Sequence, residues 1–253
     1  MTIMPFKDCF SQLARGYARY RPHYPPSLFE YLISLIPDGT IAWDCATGNG
    51  QVALALTNYV QQVYATDASF QQIEQAFQHE RIHYQVAPAE KTNLADHSVD
   101  LVTVGQALHW FDLESFYQEV RRVVKPTGII AVWCYGFFEI PDASQPIHQA
   151  LQHFFELIEP FWTPERDLVN QRYQTIPFPF EEVASPPFVM VADWTAHHLI
   201  GYLGTWSAVH LFSQQKGQAA IASALNDLEA AWEDSATPLL VRWQLHTRIG
   251  KVE

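Results

Sequence analysis

Between residues 41 and 135 short apolar, β-branched runs alternate with segments of helical periodicity, and this alternation constrains the fold more than any other feature of the chain. Runs at 41–44, 62–66, 82–86, 99–105 and 129–135 predict strands. Segments 51–59, 69–79 and 113–124 predict helices, with Ser69 placed as a cap. The last helix must stop before Pro126, and Gly128 supplies a turn. Apolar strands separated by helices imply a parallel sheet covered on both faces. In such a sheet the ligand site lies at the carboxyl ends of the strands.

The flanks differ. Helical patterns at 11–20 and 26–36 are joined by Tyr20-Arg21-Pro22-His23-Tyr24-Pro25-Pro26, an extended segment stiffened by proline. After Tyr135, residues 141–187 contain a helix at 145–158 and the run Ile176-Pro177-Phe178-Pro179-Phe180. That is too long for a simple connection and reads as an insertion over the functional edge of the sheet. A strand at 188–194, helices at 196–208 and 215–234, and a closing strand at 239–248 complete the chain.

Hydrophobic residues make up 48% of the 253, enough for one large α/β core. The net charge of −12, from 15 basic and 27 acidic residues, argues against nucleic acid and anionic membrane as partners. Cys9, Cys45 and Cys134 have no metal-ligand spacing, and His197-His198 has no third ligand at a familiar spacing, so no metal is expected. The N-terminus has no signal-peptide core and no run spans a membrane, so a cytoplasmic location is expected.

The sharpest local feature is Ile41-Ala42-Trp43-Asp44-Cys45-Ala46-Thr47-Gly48-Asn49-Gly50, a buried strand entering a small, glycine-rich turn. Gly48, Gly50 and Ala53 meet the loose spacing of a dinucleotide loop, which alone is a weak signal. Asp44 changes the reading. A carboxylate beneath this loop repels a pyrophosphate and attracts a ligand carrying ammonium and sulfonium charges. Asp67, ending the second strand, suits two ribose hydroxyls. The plainer alternatives are a turn acid at 44 and a helix-start acid at 67.

These residues, with Ala89-Glu90, Ser98-Val99-Asp100-Leu101-Val102, Gln106-Ala107-Leu108-His109-Trp110-Phe111-Asp112 and the stretch from Glu119 to Gly128, resemble the class I S-adenosylmethionine-dependent methyltransferases. The Ala107 to Asp112 string, the early Tyr17-Ala18-Arg19-Tyr20-Arg21-Pro22-His23-Tyr24-Pro25 and the late Thr205-Trp206-Ser207-Ala208 resemble the subgroup containing the trans-aconitate methyltransferases. The resemblance implies a Rossmann-like, seven-stranded, mostly parallel sheet with helices on both faces and a helical cap after strand 5. It implies a single domain: 1–38 closing the site, 39–135 binding the cofactor, 136–187 forming the insertion and 188–253 the C-terminal strands and helices. The implied cofactor is S-adenosyl-L-methionine. Asp44, Ala46, Gly48 and Gly50 would hold its methionine end, Asp67 and Ala68 the ribose and adenine, and Ala89 and Glu90 the adenine edge. Gln106 and Ala107 would approach the methionine moiety, and Tyr17 and Arg21 would close the site. Two departures stand out: Ala46 replaces a loop glycine, and Pro88 replaces an acid before Ala-Glu.

Methyl transfer from a sulfonium is an in-line displacement, so alignment and exclusion of water are the main demands. A carboxylate acceptor needs no base, whereas a hydroxyl, amine or carbon acceptor can need one. His109 is the candidate base, with an aromatic wall as its plainer role. Trp110, Tyr135 and Trp206 are the candidate acceptor-pocket residues, with core packing as their plainer role, and Arg172, Arg242 and Arg248 are either a cationic lining or surface residues. The expected acceptor is a small molecule, with a small organic acid suggested by the subgroup, and the expected assembly is a monomer or homodimer. Competing readings are a non-catalytic nucleoside-binding protein, favoured by Ala46 and Pro88, and a nicotinamide-dependent oxidoreductase, opposed by Asp44.

Overall fold

A computed structural model describes residues 20–36 and 40–252. Helix α1 (Pro26–Ser34) starts with proline in its first turn, where a missing N–H costs nothing. Then β1 (Ile41–Cys45), α2 (Gln51–Leu56), β2 (Gln62–Asp67), α3 (Phe70–Glu74), β3 (Ile82–Val86) and β4 (Val99–Gly105) alternate as expected. A 3-10 turn (Leu108–Trp110) leads into α4 (Leu113–Val123) and β5 (Val124–Tyr135). Beyond it lie α5 (Gln145–Ile158), α6 (Arg166–Asn170), β6 (Glu181–Val183), β7 (Phe188–Trp194), α7 (Ala196–Gly204), α8 (Ser207–Lys216), α9 (Gln218–Ala231) and β8 (Leu239–Lys251). The predicted helix at 11–20 falls outside the described residues except for Tyr20.

The strand order is β3-β2-β1-β4-β5-β8-β6, with β7 also paired to β8. Strands β1 to β5 are parallel, and β8 runs antiparallel to β5, β6 and β7. Because β6 and β7 pair with opposite ends of β8, the eight segments fill seven positions.

Period-two alternation sorts the sheet residues into two cores. Ala42, Leu101, Ile129, Ala131, Trp133 and Tyr135 face α1, α2 and the helices α5, α7, α8 and α9. Trp43, Cys45, Val102, Val104, Ile130, Val132 and Cys134 face α4 and the segment carrying Val169, Tyr173 and Ile176. The chain after β5 thus places α5 on one face and α6 on the other, crossing the carboxyl edge between them. Among the described residues no helix is long and apolar enough to cross a membrane.

Several boundaries depart from the sequence reading: β5 begins at Val124 rather than 129, β8 runs on to Lys251, the helix predicted over 215–234 is α9, and others shift for a local reason. Helix α2 ends at Leu56 because the Thr57 hydroxyl and the Asn58 amide donate to the Leu54 and Ala55 carbonyls. Helix α3, capped by Ser69, stops at Glu74, and Phe77 N–H donates to Asn49 of the glycine loop instead. The predicted helix at 196–208 divides at Thr205, whose hydroxyl donates to the Tyr202 carbonyl, and the chain extends at Trp206 before α8. Gly128 is not the left-handed turn residue: that conformation falls on Thr127, at φ 123°. Gly128 is needed for space, since a Cβ there would lie 2.4 Å from Val124 and 2.8 Å from the Asp100 carbonyl.

The long connection from β3 to β4 is pinned to α4 by Glu119, only 7% exposed. Its carboxylate accepts from Thr92 N–H at 2.6 Å, the Thr92 hydroxyl at 2.7 Å and Arg122. Burial pushes its pKa up, but the hydrogen bonds from Arg122 and Thr92 outweigh this and hold it below the usual value. Glu119→Ala is expected to cost about 2–4 kcal/mol by orphaning Thr92 N–H and its hydroxyl and leaving Arg122 held only by Asp96 and two carbonyls, measured as a melting temperature lower by roughly 5–15 °C. The wild-type contribution is complete above the unfolded pKa and fades as pH falls through the depressed folded one. A melt indistinguishable from wild type at neutral pH would show that the connection is held by other contacts.

Candidate functional site

Strand β1 delivers the buried Asp44 and then the loop 46–50, tied to β2 by a hydrogen bond from Thr47 N–H to the Thr66 carbonyl. Ala46, Gly48 and Gly50 all adopt positive φ, at 53°, 57° and 84°. Gly50 also lies against the Tyr84 hydroxyl, which would be 2.1 Å from a Cβ. The loop therefore coils tightly over Asp44, with Gly50 as the left-handed N-cap of α2.

Asp44 is 1% exposed and accepts hydrogen bonds from the hydroxyls of Thr47 and Thr103. No lysine or arginine pairs with it among the described residues. Burial raises its pKa to about 7, opposed by those hydroxyls and reinforced by the nearby Asp67. Such a carboxyl suits a ligand that brings positive charge. Asp67 accepts from Gly48 N–H and Ser69 N–H, both at 2.9 Å, so it links the loop to the start of α3. Ala68 beside it is exposed. Ala89 is buried, and Glu90 accepts from Asp112 N–H at 3.0 Å, tying this edge to the start of α4. Asp44, the loop and Asp67 stand at the carboxyl ends of β1 and β2, and Ala89 and Glu90 follow β3, with Pro88 exposed beside them.

At the ends of β4 and β5, Gln106 takes a positive φ of 56° and clamps Tyr135. Its amide accepts from Tyr135 N–H at 2.8 Å and donates to the Tyr135 carbonyl at 3.0 Å. The side chain is therefore spent on joining two strands, which motif spacing does not reveal. Ala107 is buried at the start of the 3-10 turn. His109 Nδ1 lies 2.7 Å from the Tyr173 hydroxyl, and its ring packs on Trp110 and Tyr173. Burial, then the Arg166 charge, lowers its pKa to about 3, which leaves a neutral imidazole and a weak base.

The extended segment 20–25 crosses the strand ends. Tyr20 packs on His197 and His198 of α7. Arg21 donates to the Tyr135 hydroxyl at 3.2 Å and the Thr205 carbonyl at 3.4 Å, and lies over the Tyr202 ring. The Gln51 amide donates to the Pro22 carbonyl at 2.9 Å at the start of α2. Trp206 stacks on Phe155 and contacts Phe137, Trp162 and Tyr202. Arg21, Tyr135 and Trp206 thus converge through Tyr202, while Trp110 and His109 lie by Tyr173. Tyr17 is outside the described residues.

The predicted cationic lining is not what the structure shows. Arg248 is held by Glu182 and the carbonyls of Tyr173 and Ile176, and Arg172 and Arg242 are exposed. Arg166 lies over the rings of Trp162 and Phe137, and Arg21 over that of Tyr202, so these two cations border the aromatic group. Arg166 had no signal in the sequence, because periodicity inside an insertion carries no register against the sheet.

Ala46 bears a Cβ in a left-handed conformation that costs about 1 kcal/mol or more. Ala46→Gly is expected to raise the melting temperature by roughly 1–3 °C, the relief exceeding the added unfolded-state entropy. A lower melting temperature would mean that the methyl group packs usefully.

A methyltransferase domain family matches residues 43–132. A protein of Dictyostelium discoideum classed as a methyltransferase is 32% identical over 215 residues, covering 83% of this chain and 81% of its own. The solved structure of a protein from Anaeromyxobacter dehalogenans classed as a type II methyltransferase superposes with a TM-score of 0.83 at 38% identity, over 92% of this chain and 98% of that one. A Saccharomyces cerevisiae protein classed as an S-adenosylmethionine-dependent methyltransferase is 28% identical over 140 residues, covering 50% of this chain and 48% of its own. With the parallel sheet, the coiled glycine loop and the two strand-end acids, these likenesses make the chain a member of the class I S-adenosylmethionine-dependent methyltransferases.

Proposed function

We propose that this enzyme methylates a small molecule, and specifically a small organic acid, enclosed beneath the cap. The observation that supports a small acceptor is the roof over the strand ends. Segment 20–25 spans from α7 to α2, and α5 to α8 bring Phe155, Trp162 and Trp206 together on the same side. A macromolecule would need an open face there. The net charge of −12 disfavours nucleic acid as well.

S-adenosylmethionine, when bound, supplies a methyl group on a sulfonium centre. In this reading Asp44 faces its cationic end, Gly48 and Gly50 allow close backbone approach, and Asp67 accepts from the ribose hydroxyls. Ala68, Ala89 and Glu90 border the adenine, with Gln106 and Ala107 beside the methionine moiety. Arg21, Tyr135, Trp110 and Trp206 shape the acceptor side and exclude water. A carboxylate acceptor requires no proton removal, which agrees with the weak basicity of His109. His109 then orients the acceptor rather than deprotonating it.

Two measurements test the assignment. Thermal shift with S-adenosylmethionine, S-adenosylhomocysteine and NAD should show stabilisation by the first two only, of about 2.7 kcal/mol at a hundredfold excess over Kd. Asp67→Ala should lose that increment, beyond the lower baseline expected from releasing Gly48 and Ser69. Stabilisation by NAD alone would overturn the residue assignment.

The second measurement follows pH. Asp44 holds its proton to about pH 7 in the native chain. Without cofactor, native stability therefore declines between the unfolded and folded pKa values as pH rises. Affinity for S-adenosylhomocysteine should rise over the same interval, by up to about tenfold per pH unit below 7. Asp44→Asn should melt higher than wild type at pH 8 without ligand and bind S-adenosylhomocysteine weakly at every pH. A variant that keeps the pH slope would remove Asp44 from the cofactor site.

A further inference from the structure

Among the described residues, several arginines are held by neighbours, while Arg172 and Arg242 are exposed. Arg122 is bound by Glu119 and Asp96, Arg248 by Glu182, Arg121 by the Pro179 carbonyl and Arg81 by the Thr57 carbonyl. Arg166 is different. Its Nε donates to Asn170 at 3.2 Å, but its two terminal nitrogens make no hydrogen bond or ion pair among the described residues. Its guanidinium carbon lies 4.5 Å from the centroid of the Trp162 ring and 5.0 Å from that of Phe137. Burial, and to a lesser degree Arg21, disfavours its charge, while Tyr202, Tyr135 and Cys134 act the other way. Arg21, over Tyr202, and Arg166, over Trp162 and Phe137, lie on rings that all contact Trp206, in a protein with 27 acidic residues and only 15 basic ones. A bound anion would oppose the disfavouring effect of Arg21 on the Arg166 charge.

We propose that Arg166 is the specificity-determining residue of the acceptor site and binds a carboxylate of the methyl acceptor through its terminal nitrogens. The inference rests on the acceptor reading above and adds the residue and the shape of the ligand to it. With the ring faces of Trp162 and Phe137 against the guanidinium and Nε held by Asn170, the remaining fork matches a planar carboxylate in a two-point contact. The same rings, with Trp206 at 5.5 Å from Trp162 and 5.7 Å from Phe137, give the acceptor an apolar body to lie against. The acid selected is therefore one with an aromatic, unsaturated or alkyl frame rather than a polyhydroxylated one. Arg166 also lowers the basicity of His109, so one side chain both attracts an acceptor that is already anionic and disfavours one that needs a base.

The experiment measures binding to the full chain by tryptophan fluorescence, with and without saturating S-adenosylhomocysteine. The probes are phenylacetate, cinnamate and glutarate, each beside its amide. The expected result is that wild type binds phenylacetate or cinnamate at least about tenfold more tightly than the amide, the discrimination that a charge-assisted pair provides. Arg166→Gln should abolish that preference, Arg166→Lys should restore part of it, and S-adenosylhomocysteine affinity should be the same in all three proteins. Equal binding of acid and amide by wild type, no binding of any acid at millimolar concentration, or a preference that survives in Arg166→Gln would each overturn the proposal. Failure of S-adenosylhomocysteine to bind wild type would instead overturn the cofactor-site assignment, and the acid-to-amide comparison made without it still decides the role of Arg166.

Discussion

Burial of β1, β4 and β5 on both faces is the constraint from which the rest of the molecule follows. Trp43 and Trp133, facing opposite cores, are fully buried, as are Leu101, Val102 and Ile130 between them. A strand closed above and below by helices exposes functional backbone only at its ends. The amino ends are occupied by structural polar work: Asp100 binds Lys125 and accepts from Ile41 N–H, and Glu119 anchors the connection before β4. The carboxyl ends carry Asp44, Asp67, Gln106 and Tyr135.

At that edge the chain arranges its polar groups to hold loops rather than helices. Asp67 joins Gly48 to Ser69, Glu90 joins the third strand's exit to Asp112, Gln106 joins β4 to Tyr135, and Arg21 joins the extended segment to β5 and Thr205. Each link is a single side chain bridging two segments distant in sequence. These links add to the apolar packing of that edge, and a ligand that competes for one of these side chains can alter the position of two segments at once. This is how loop residues acquire a dual role in structure and binding.

The parallel core was readable from residues 41 to 135 because apolar strands and capped helices carry their own periodicities, and β3 and β4 fall where the pattern places them. The antiparallel β8, the pairing of two separate segments along it and the crossing of α5 and α6 to opposite faces were not readable, since they depend on contacts between residues far apart. The same division holds for the candidate site. Asp44, the glycine loop and Asp67 sit on elements with fixed geometry and could be named from spacing. Arg166 could not be separated from Arg172 or Arg248, because which arginine of an insertion turns inward depends on where Trp162 and Phe137 come to rest. Gln106 was named for its position at a strand end, but its side chain serves the β4 to β5 junction.

Three features at the carboxyl edge work against stability of the chain by itself. Ala46 occupies a conformation suited to glycine, Asp44 is buried with no lysine or arginine paired to it among the described residues, and Arg166 lies half-buried against Trp162 and Phe137. Elsewhere the same molecule obeys the ordinary rules: Glu119 is matched to Arg122, Asp100 to Lys125, and helices begin on Ser69, Asp112 and Thr195. Buried or strained groups gathered at the strand ends mark a place where the sequence has been shaped by something other than folding, although Thr127 shows that strain also occurs at the amino edge. Two of them are also groups of opposite charge type, a carboxyl under the loop and a guanidinium group beneath the cap. A cationic donor and an anionic acceptor would each relieve its own defect, and binding both would bring the reacting centres to the same strand ends from opposite sides. On the proposed reading, the electrostatic asymmetry that costs the free protein stability would also sort the two ligands into their places.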